Sequence, residues 1–249
     1  MRLILEVWRQ ESATDEGHFE THEITDAREE MSLLELLDRL NHHLVAHDHI
    51  PVAFESDCRE GICGTCGVDV DGVPHGPEDN APACGQHVRS FADGATVRIE
   101  PFRAAGFPVI RDLIVDRTGL DRIIQAGGTV AVDAGTAVDA DALLVTHEDA
   151  EKALDFAACI GCGACVSACP NGAAYLFAGA KLAHLALVPH GRSERARRAR
   201  AMVAQMEHEF GPCSQIGECA VVCPADIPIS AIATVNRERL RAMFRGKDN

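Results

Sequence analysis

The chain has 249 residues, of which 47% are hydrophobic, and its formal net charge is −15. This length predicts two domains of about 100–150 residues each, and the acidic balance argues against a nucleic-acid partner, which needs clustered Lys and Arg. No stretch reaches the roughly 18–20 uninterrupted apolar residues of a membrane span, and the N-terminus lacks the apolar region of a signal peptide. We therefore expect a soluble, cytoplasmic protein with no transmembrane span of its own.

Residues 1–106 alternate short strand patterns with turns and contain one helical pattern. The segments 2–8 and 18–25 are predicted to form a β-hairpin, and 31–47 carries leucines at helical spacing along one face. Further strands are predicted at 51–55, 67–72 and 95–102. Strands around one helix, with a cysteine-rich loop between them, predict a β-grasp ferredoxin domain over 1–106.

The segment 101–112 contains two prolines and marks the boundary to a second domain. Helical patterns dominate after it, and the helical pattern that starts at 119 ends on glycines, as helices do. The sequence therefore predicts an α+β protein in which the β-grasp domain is followed by a mostly α-helical domain over 107–249.

The eleven cysteines form three groups, and the first group has the spacing C-x4-C-x2-C followed by one more cysteine. This is the plant-type spacing for a 2Fe–2S cluster. Glycines lie between the cysteines, as expected for a loop whose backbone N–H groups approach the sulfurs closely. A structural zinc site is the alternative, but it normally uses two short cysteine pairs held apart. The predicted 2Fe–2S ligands are Cys58, Cys63, Cys66 and Cys84, and residues 58–66 are called the first cysteine loop below.

The second group, the middle run (159–169), fills every cysteine position of the bacterial ferredoxin pattern C-x2-C-x2-C-x3-C-P. In two-cluster ferredoxins the fourth cysteine of each run ligates the other cluster. The third group, the last run (213–223), follows the same pattern except that Ile216 stands where the second cysteine belongs. The predicted 4Fe–4S ligands are therefore Cys159, Cys162, Cys165 and Cys223.

The remaining cluster has only three thiolates, so its fourth iron has no protein ligand and is easily lost. This predicts a 3Fe–4S cluster held by Cys169, Cys213 and Cys219, with Ile216 at the open corner. All eleven cysteines are then assigned. The alternative is that Ile216 is simply a core residue close to an ordinary cluster.

The segments PVAFESDCREGICGTCG, PVIRDLIVDR with LDRIIQAGG, CIGCGACVSACP and CSQIGECAVVCP occur in this order along the chain. In this combination the chain resembles the iron–sulfur subunits of succinate dehydrogenase and fumarate reductase over nearly its whole length. The resemblance implies a flavoprotein partner that carries FAD and a membrane anchor that binds quinone and often haem. It also implies that electrons pass from the flavin through the 2Fe–2S, 4Fe–4S and 3Fe–4S clusters to quinone, on the cytoplasmic side of the cell membrane. No residue of such a subunit is catalytic in the acid–base or nucleophilic sense.

The resemblance places quinone beside the 3Fe–4S cluster, close to Pro170. Ubiquinone-reducing members carry a Trp and a His at positions that hold Ala174 and Ser214 here, which favours menaquinone. The direction of catalysis is left open between succinate oxidation and fumarate reduction. The basic segment 192–200 is typical of a solvent-exposed helix face, with contact to anionic headgroups or an acidic partner as the alternative.

Two other functions compete with this interpretation. One is an electron-transfer subunit of another flavoprotein, such as a thiol-linked fumarate reductase, for which we expect an additional cysteine-rich domain that this sequence lacks. The other is a free-standing ferredoxin carrier or iron–sulfur sensor, which has no need of three clusters of different type. Copurification with a flavoprotein and a haem-bearing membrane subunit distinguishes these possibilities.

Overall fold

The computed structural model describes residues 1–129, 144–188 and 192–244. The strands are β1 (Leu3–Arg9), β2 (His18–Ile24), β3 (Asp69–Val70), β4 (Val73–Pro74), β5 (Thr96–Glu100), β6 (Val109–Arg111) and β7 (Ile114–Val115). The helices are α1 (Leu33–Ala46), α2 (Thr118–Ile123), α3 (His147–Ala157), α4 (Ala164–Ser167), α5 (Tyr175–Leu187), α6 (Arg192–Glu209), α7 (Glu218–Val221) and α8 (Ser230–Phe244). Among the helices described, none is long and apolar enough to cross a membrane.

The chain divides into two compact units that are interleaved along the sequence. The first unit is formed by Met1–Arg117, Ile160–Ala168 and Val222–Pro224. The second unit is formed by the described parts of Thr118–Cys159, Cys169–Val221 and Ala225–Asn249. The domain boundary predicted after residue 106 stays a prediction.

The first unit is built on a five-stranded sheet with the order β2-β1-β5-β3-β4. The predicted hairpin is confirmed, since β1 and β2 pair antiparallel from Leu3–Ile24 to Arg9–His18, and β5 lies parallel to β1. Alternate residues of β1 are buried, as expected for a strand with one face on the core. The strands β6 and β7 form a separate small hairpin that the sequence analysis did not predict.

Helix α1 supplies the other half of the core of the first unit. It begins at a capping box in which Ser32 Oγ accepts the Glu35 N–H and the Glu35 carboxylate accepts the Ser32 N–H, which satisfies two otherwise unpaired donors. Its buried face contains the leucines predicted from their spacing, and each fully buried leucine stabilises the fold by about 1.5–3 kcal/mol. These leucines are Leu33, Leu36, Leu37, Leu40 and Leu44.

The strand predicted at 51–55 is wrong, because the structure has no strand there. Both backbone groups of Val52 are instead hydrogen-bonded to the Asn41 side chain. The Val52 N–H donates to Asn41 Oδ1, and the Val52 carbonyl accepts from Asn41 Nδ2. The N–H of Ala53 donates to the Asp112 carboxylate at 2.8 Å. Side chains thus take the hydrogen bonds that a neighbouring strand would have supplied.

The second unit is helical, so the predicted α+β class is confirmed. Helix α5 is buried along most of its length. It packs so closely against α8 that a Cβ built on Gly179 would lie 2.5 Å from the Ala231 carbonyl oxygen. The expectation that the basic segment 192–200 is a solvent-exposed helix face is wrong for Arg198, and the Arg195 side chain is only 33% exposed. Arg195 forms a two-armed ion pair with the buried Glu238, and Arg198, 4% exposed, donates to the Gly127 carbonyl.

Candidate iron–sulfur cluster sites

The first cysteine loop wraps around its sulfur atoms in the way its glycines predict. Gly61 and Gly64 have φ of +76° and +70°, in the left-handed region that glycine adopts at no steric cost. Arg59 also adopts positive φ, at +56°. The backbone N–H groups of Glu60 and Cys63 point at Cys58 Sγ, at 3.4 and 3.3 Å.

The thiols of this loop lie in contrasting surroundings. Burial raises the pKa of the Cys63 thiol, but hydrogen bonds with Thr65 and Cys58 outweigh burial and lower it to about 7. Burial raises the pKa of Cys66 to about 12, and the nearby Cys84 and Cys63 contribute to the rise. A group of thiols this close and this buried suits coordination by metal, which deprotonates its thiol ligands outright. The donor set and the turned N–H groups fit a 2Fe–2S cluster.

The middle run also turns through positive φ, at Gly161 (+69°) and Gly163 (+91°). Cys162 and Cys165 are buried, 7% and 9% exposed, and Cys165 lies on the short helix α4. The structure places both of them, together with Cys223, in the first unit, whereas Cys159 belongs to the second. Three of the four predicted 4Fe–4S ligands therefore share one compact unit.

The three cysteines predicted to hold a 3Fe–4S cluster line one cavity in the second unit, and Ile216 lines it with them. The cavity is small, about 20 Å³ or room for about one water molecule, and part of it is open to solvent. Burial, followed by the proximity of Cys169 and Cys213, raises the pKa of the Cys219 thiol. The Ile216 side chain is 55% exposed, which contradicts the alternative that it is a core residue.

The same cavity is lined by Pro170 and Ser214, two of the positions tied to quinone by resemblance. Ser214 is held by Asn171, whose amide donates to Ser214 Oγ at 2.7 Å. Ala174 is fully buried, and Tyr175, the single tyrosine of the chain, lines the cavity beside it. Tyr175 was not predicted, because a lone aromatic residue at the start of a helix carries no signal of a site.

Two charged side chains near the cysteines were also missed. Asp69 is 5% exposed and accepts a hydrogen bond from Ser167 Oγ at 3.1 Å, and burial raises its pKa to about 6. Arg117 donates to main-chain carbonyls of both the first cysteine loop and the middle run. Neither role was predictable, because the Asp69–Ser167 contact joins side chains 98 positions apart and the Arg117 contacts go to main-chain atoms, which leave no residue pattern in a sequence.

A single zinc ion draws its thiolates to within about 2.3 Å of one point. Within the described residues, no group of three or more His, Cys, Asp or Glu side chains is placed to hold a single metal ion.

Comparison with known proteins matches two iron–sulfur domain families to this chain. Residues 4–122 match a family described as a 2Fe-2S iron-sulfur cluster binding domain, and 158–227 match one described as a 4Fe-4S dicluster domain.

Among curated relatives, the fumarate reductase iron-sulfur subunit of Escherichia coli O157:H7 is 30% identical over 217 residues, which cover 81% of this chain and 78% of the relative. A fumarate reductase (CoM/CoB) subunit from Methanothermobacter marburgensis is 30% identical over 245 residues, 96% of this chain but only 44% of the length of that protein. The succinate dehydrogenase iron-sulfur subunit of Bacillus subtilis is 27% identical over 202 residues, 78% of this chain and 75% of the relative.

Among solved structures, a chain of the Mycobacterium smegmatis Sdh1 complex in the apo form matches with a TM-score of 0.68 and 22% identity, over 99% of this chain and 98% of that one. At this identity the match shows that the two chains share a fold.

Proposed function

Because this chain belongs to the family of iron–sulfur subunits of succinate dehydrogenase and fumarate reductase, we propose that it carries electrons between a flavoprotein and quinone. Its 2Fe–2S and 4Fe–4S cluster domains are family features, and a 3Fe–4S cluster is proposed at Cys169, Cys213 and Cys219. When bound, these clusters exchange single electrons, which connects a two-electron flavin with a quinone reduced in single steps.

The observation that carries this proposal is that all eleven cysteines fall into three groups along the chain whose spacings match iron–sulfur cluster patterns. The proposed 2Fe–2S ligands are Cys58, Cys63, Cys66 and Cys84, and the proposed 4Fe–4S ligands are Cys159, Cys162, Cys165 and Cys223. The chain itself contributes thiolates, turned N–H groups and burial, which set the potentials of bound clusters.

The proposed partners are an FAD-containing flavoprotein and a membrane anchor that binds quinone and often haem b. The subunit is then peripheral, held through the anchor at the cytoplasmic side of the cell membrane. Pro170 and Ser214 line the same small cavity as the three cysteines, and this proximity supports a quinone site beside the three-cysteine site. The absence of the Trp and His found in ubiquinone-reducing members favours menaquinone.

Purification of the tagged chain from its native membranes tests the proposal. We expect a flavoprotein and a membrane subunit in the same complex, and about nine irons and about ten inorganic sulfides per copy of this chain, one cluster of each type. Succinate should reduce a menaquinone analogue. Zinc as the main metal, or a stable chain that purifies alone and fully loaded, would contradict the proposal.

The reverse direction, fumarate reduction by quinol, uses the same parts. A second candidate is a fumarate reductase in which thiols supply the electrons, favoured by the match over 96% of this chain to the relative named fumarate reductase (CoM/CoB). Assays on the purified complex distinguish quinone-linked from thiol-linked activity. Fumarate reduction by thiols without any quinone response supports the second candidate.

A further inference from the structure

The first cysteine loop and the middle run touch through their main chains at Gly64. A Cβ built on Gly64 would lie 2.4 Å from the Ile160 carbonyl oxygen and 3.1 Å from Cys162 Cα. Gly64 also has a φ of +70°, so both space and backbone conformation require glycine there. The two segments that carry proposed ligands of different clusters are therefore in direct backbone contact within the first unit.

Arg117 spans this contact. Its Nη1 donates to the carbonyl oxygen of Gly64 at 2.5 Å and to that of Cys162 at 3.1 Å. Its Nη2 donates to the Thr65 carbonyl at 3.4 Å and pairs with the Glu55 carboxylate at 3.2 Å. The Arg117 side chain is 18% exposed, so one partly buried guanidinium holds carbonyls from both segments.

A second polar contact holds the far end of the same segment. Ser167 Oγ donates to both oxygens of the Asp69 carboxylate, at 3.3 and 3.1 Å. Because Asp69 begins β3, this bond ties α4 to the sheet, whereas Arg117 ties the turn before α4 to the first cysteine loop. Of these two contacts, only the one made by Arg117 reaches both the first cysteine loop and the middle run.

The chemistry of the side chain suits this position. A guanidinium offers five donors in a fixed planar fork and stays charged at all relevant pH values. Lysine keeps the charge but lacks the fork. A fixed cation close to a cluster stabilises its reduced, more negative state, since net charge around a cluster sets its potential.

We propose that Arg117 is a positioning residue that holds the 2Fe–2S and 4Fe–4S ligand loops at the separation needed for electron exchange and favours reduction of both clusters. The proposal rests on the proposed function for the presence of the clusters. Arg117 acts through the main chain of Gly64, Thr65 and Cys162, and it touches no substrate.

The test uses the intact complex with Arg117→Gln, Arg117→Lys and the control Arg98→Gln. Arg98 pairs with Glu6 through two nitrogens on the same unit, so the control also removes a paired guanidinium but leaves both loops alone. Redox titration followed by EPR reports the potential of each cluster, and relaxation broadening between the two reduced clusters reports their separation.

We expect weaker magnetic interaction and several-fold slower electron exchange in both Arg117 variants, and lower potentials for both clusters in Arg117→Gln only. Arg98→Gln should match the wild type in all three measurements. A complex in which both Arg117 variants keep the wild-type interaction and exchange rate overturns the proposal. A role in folding alone would change the amount of complex but not the potentials.

Hydrogen exchange separates a failure of this proposal from a failure of the proposed function. Amides in 58–66 and 160–168 should exchange faster in both Arg117 variants than in the wild type, and no faster in Arg98→Gln. Unchanged exchange in either segment overturns the link that Arg117 provides. If the wild-type complex shows no cluster signals but the amides of both segments still exchange faster in the Arg117 variants, the link is retained and the proposed function is contradicted.

Discussion

The first cysteine loop and the last run differ in how closed they are. At the proposed 2Fe–2S site two backbone N–H groups point at Cys58 Sγ, and Cys66 and Cys84 are at least nine-tenths buried, whereas Cys58 and Cys63 are half-buried and Ile62 is 66% exposed. In the last run the N–H of Gln215 approaches Cys213 Sγ at 3.4 Å, and Cys213 and Cys219 are half-buried. The last run also opens into a cavity, with Ile216 at its edge.

This difference suggests a division of labour between the two sites. A closed site excludes water and fixes its hydrogen bonds, which suits a cluster that exchanges electrons only with other redox groups. An open site with exposed apolar side chains suits exchange with a small molecule that must enter and leave. Val221 and Ile229, which are 73% and 50% exposed, extend the apolar surface of the last run.

The largest expected effect comes from removing a ligand at the closed site. In Cys84→Ser we expect most molecules to lose the 2Fe–2S centre and the rest to have a lower potential, because a serine oxygen is a harder ligand than the thiolate that iron–sulfur clusters use. EPR of the reduced complex measures this signal. The 4Fe–4S and 3Fe–4S signals should remain.

The matched change at the open site is Cys219→Ser, which should remove the 3Fe–4S signal and spare the 2Fe–2S signal. Together the two variants show whether each site is organised independently. Loss of all three signals in Cys84→Ser would mean that the first unit does not form its site by itself, and the comparison between the two sites would no longer hold.

A smaller effect is expected from Ile216→Cys, which supplies a thiol at the cavity. If Ile216 occupies the vacant ligand position, the variant should retain a fourth iron and its cluster potential should fall, because an added thiolate disfavours the reduced state. The near-isotropic EPR signal of the oxidised 3Fe–4S centre should diminish. Quinone reduction should slow, since the cluster becomes a poorer electron acceptor.

Val221→Cys is the matched control for this change. Val221 is an exposed apolar residue of the same run that does not line the cavity, so its thiol should leave the 3Fe–4S signal unchanged. A full-strength signal in Ile216→Cys would show that this side chain does not face the open corner. A wild-type oxidised complex without the signal would contradict the assignment of three ligands.

The sequence predicted what depends on spacing. The spacing of the cysteines identified their three groups, and the helical spacing of the leucines identified the buried face of α1. The strand error at 51–55 arose because Asn41 and Asp112, distant in sequence, bond the main chain there. Sequence periodicity carries no information on such long-range bonds.

The ligands of the candidate sites stay a prediction from cysteine spacing, and spacing carries no information on their surroundings. The exposure of Ile216, the cavity beside Pro170 and the burial of Asp69 depend on how distant segments pack. The arginines of 192–200 illustrate the same limit, since Arg195 is bonded to Glu238, which is 43 positions away along the chain. Net local charge alone predicted solvent exposure for this segment.

The smallest expected effect follows from the closed character of the first unit and concerns pH. Burial raises the pKa of Asp69 from 3.8 to about 6, so between these values the folded state holds the proton more tightly than the unfolded state. The free energy of unfolding contributed by Asp69 therefore falls as pH rises from about 4 to 6, by up to about 3 kcal/mol. Burial lowers the pKa of His75 to about 4, which gives a slope of opposite sign, so only a comparison of variants at each pH isolates Asp69.

Asp69→Asn removes the titration and keeps an oxygen to accept the Ser167 hydroxyl. We expect its apparent melting temperature to rise relative to the wild type as pH increases from 4 to 6, and the difference to level off above 6. The control Asp121→Asn removes an exposed carboxylate from α2 and should give a difference that does not follow this course. Because His75 is the same in all three proteins, its contribution cancels. A difference for Asp69→Asn that stays constant across this range would mean that Asp69 is solvated, and the first unit would then be less closed around its cluster loops than the structure indicates.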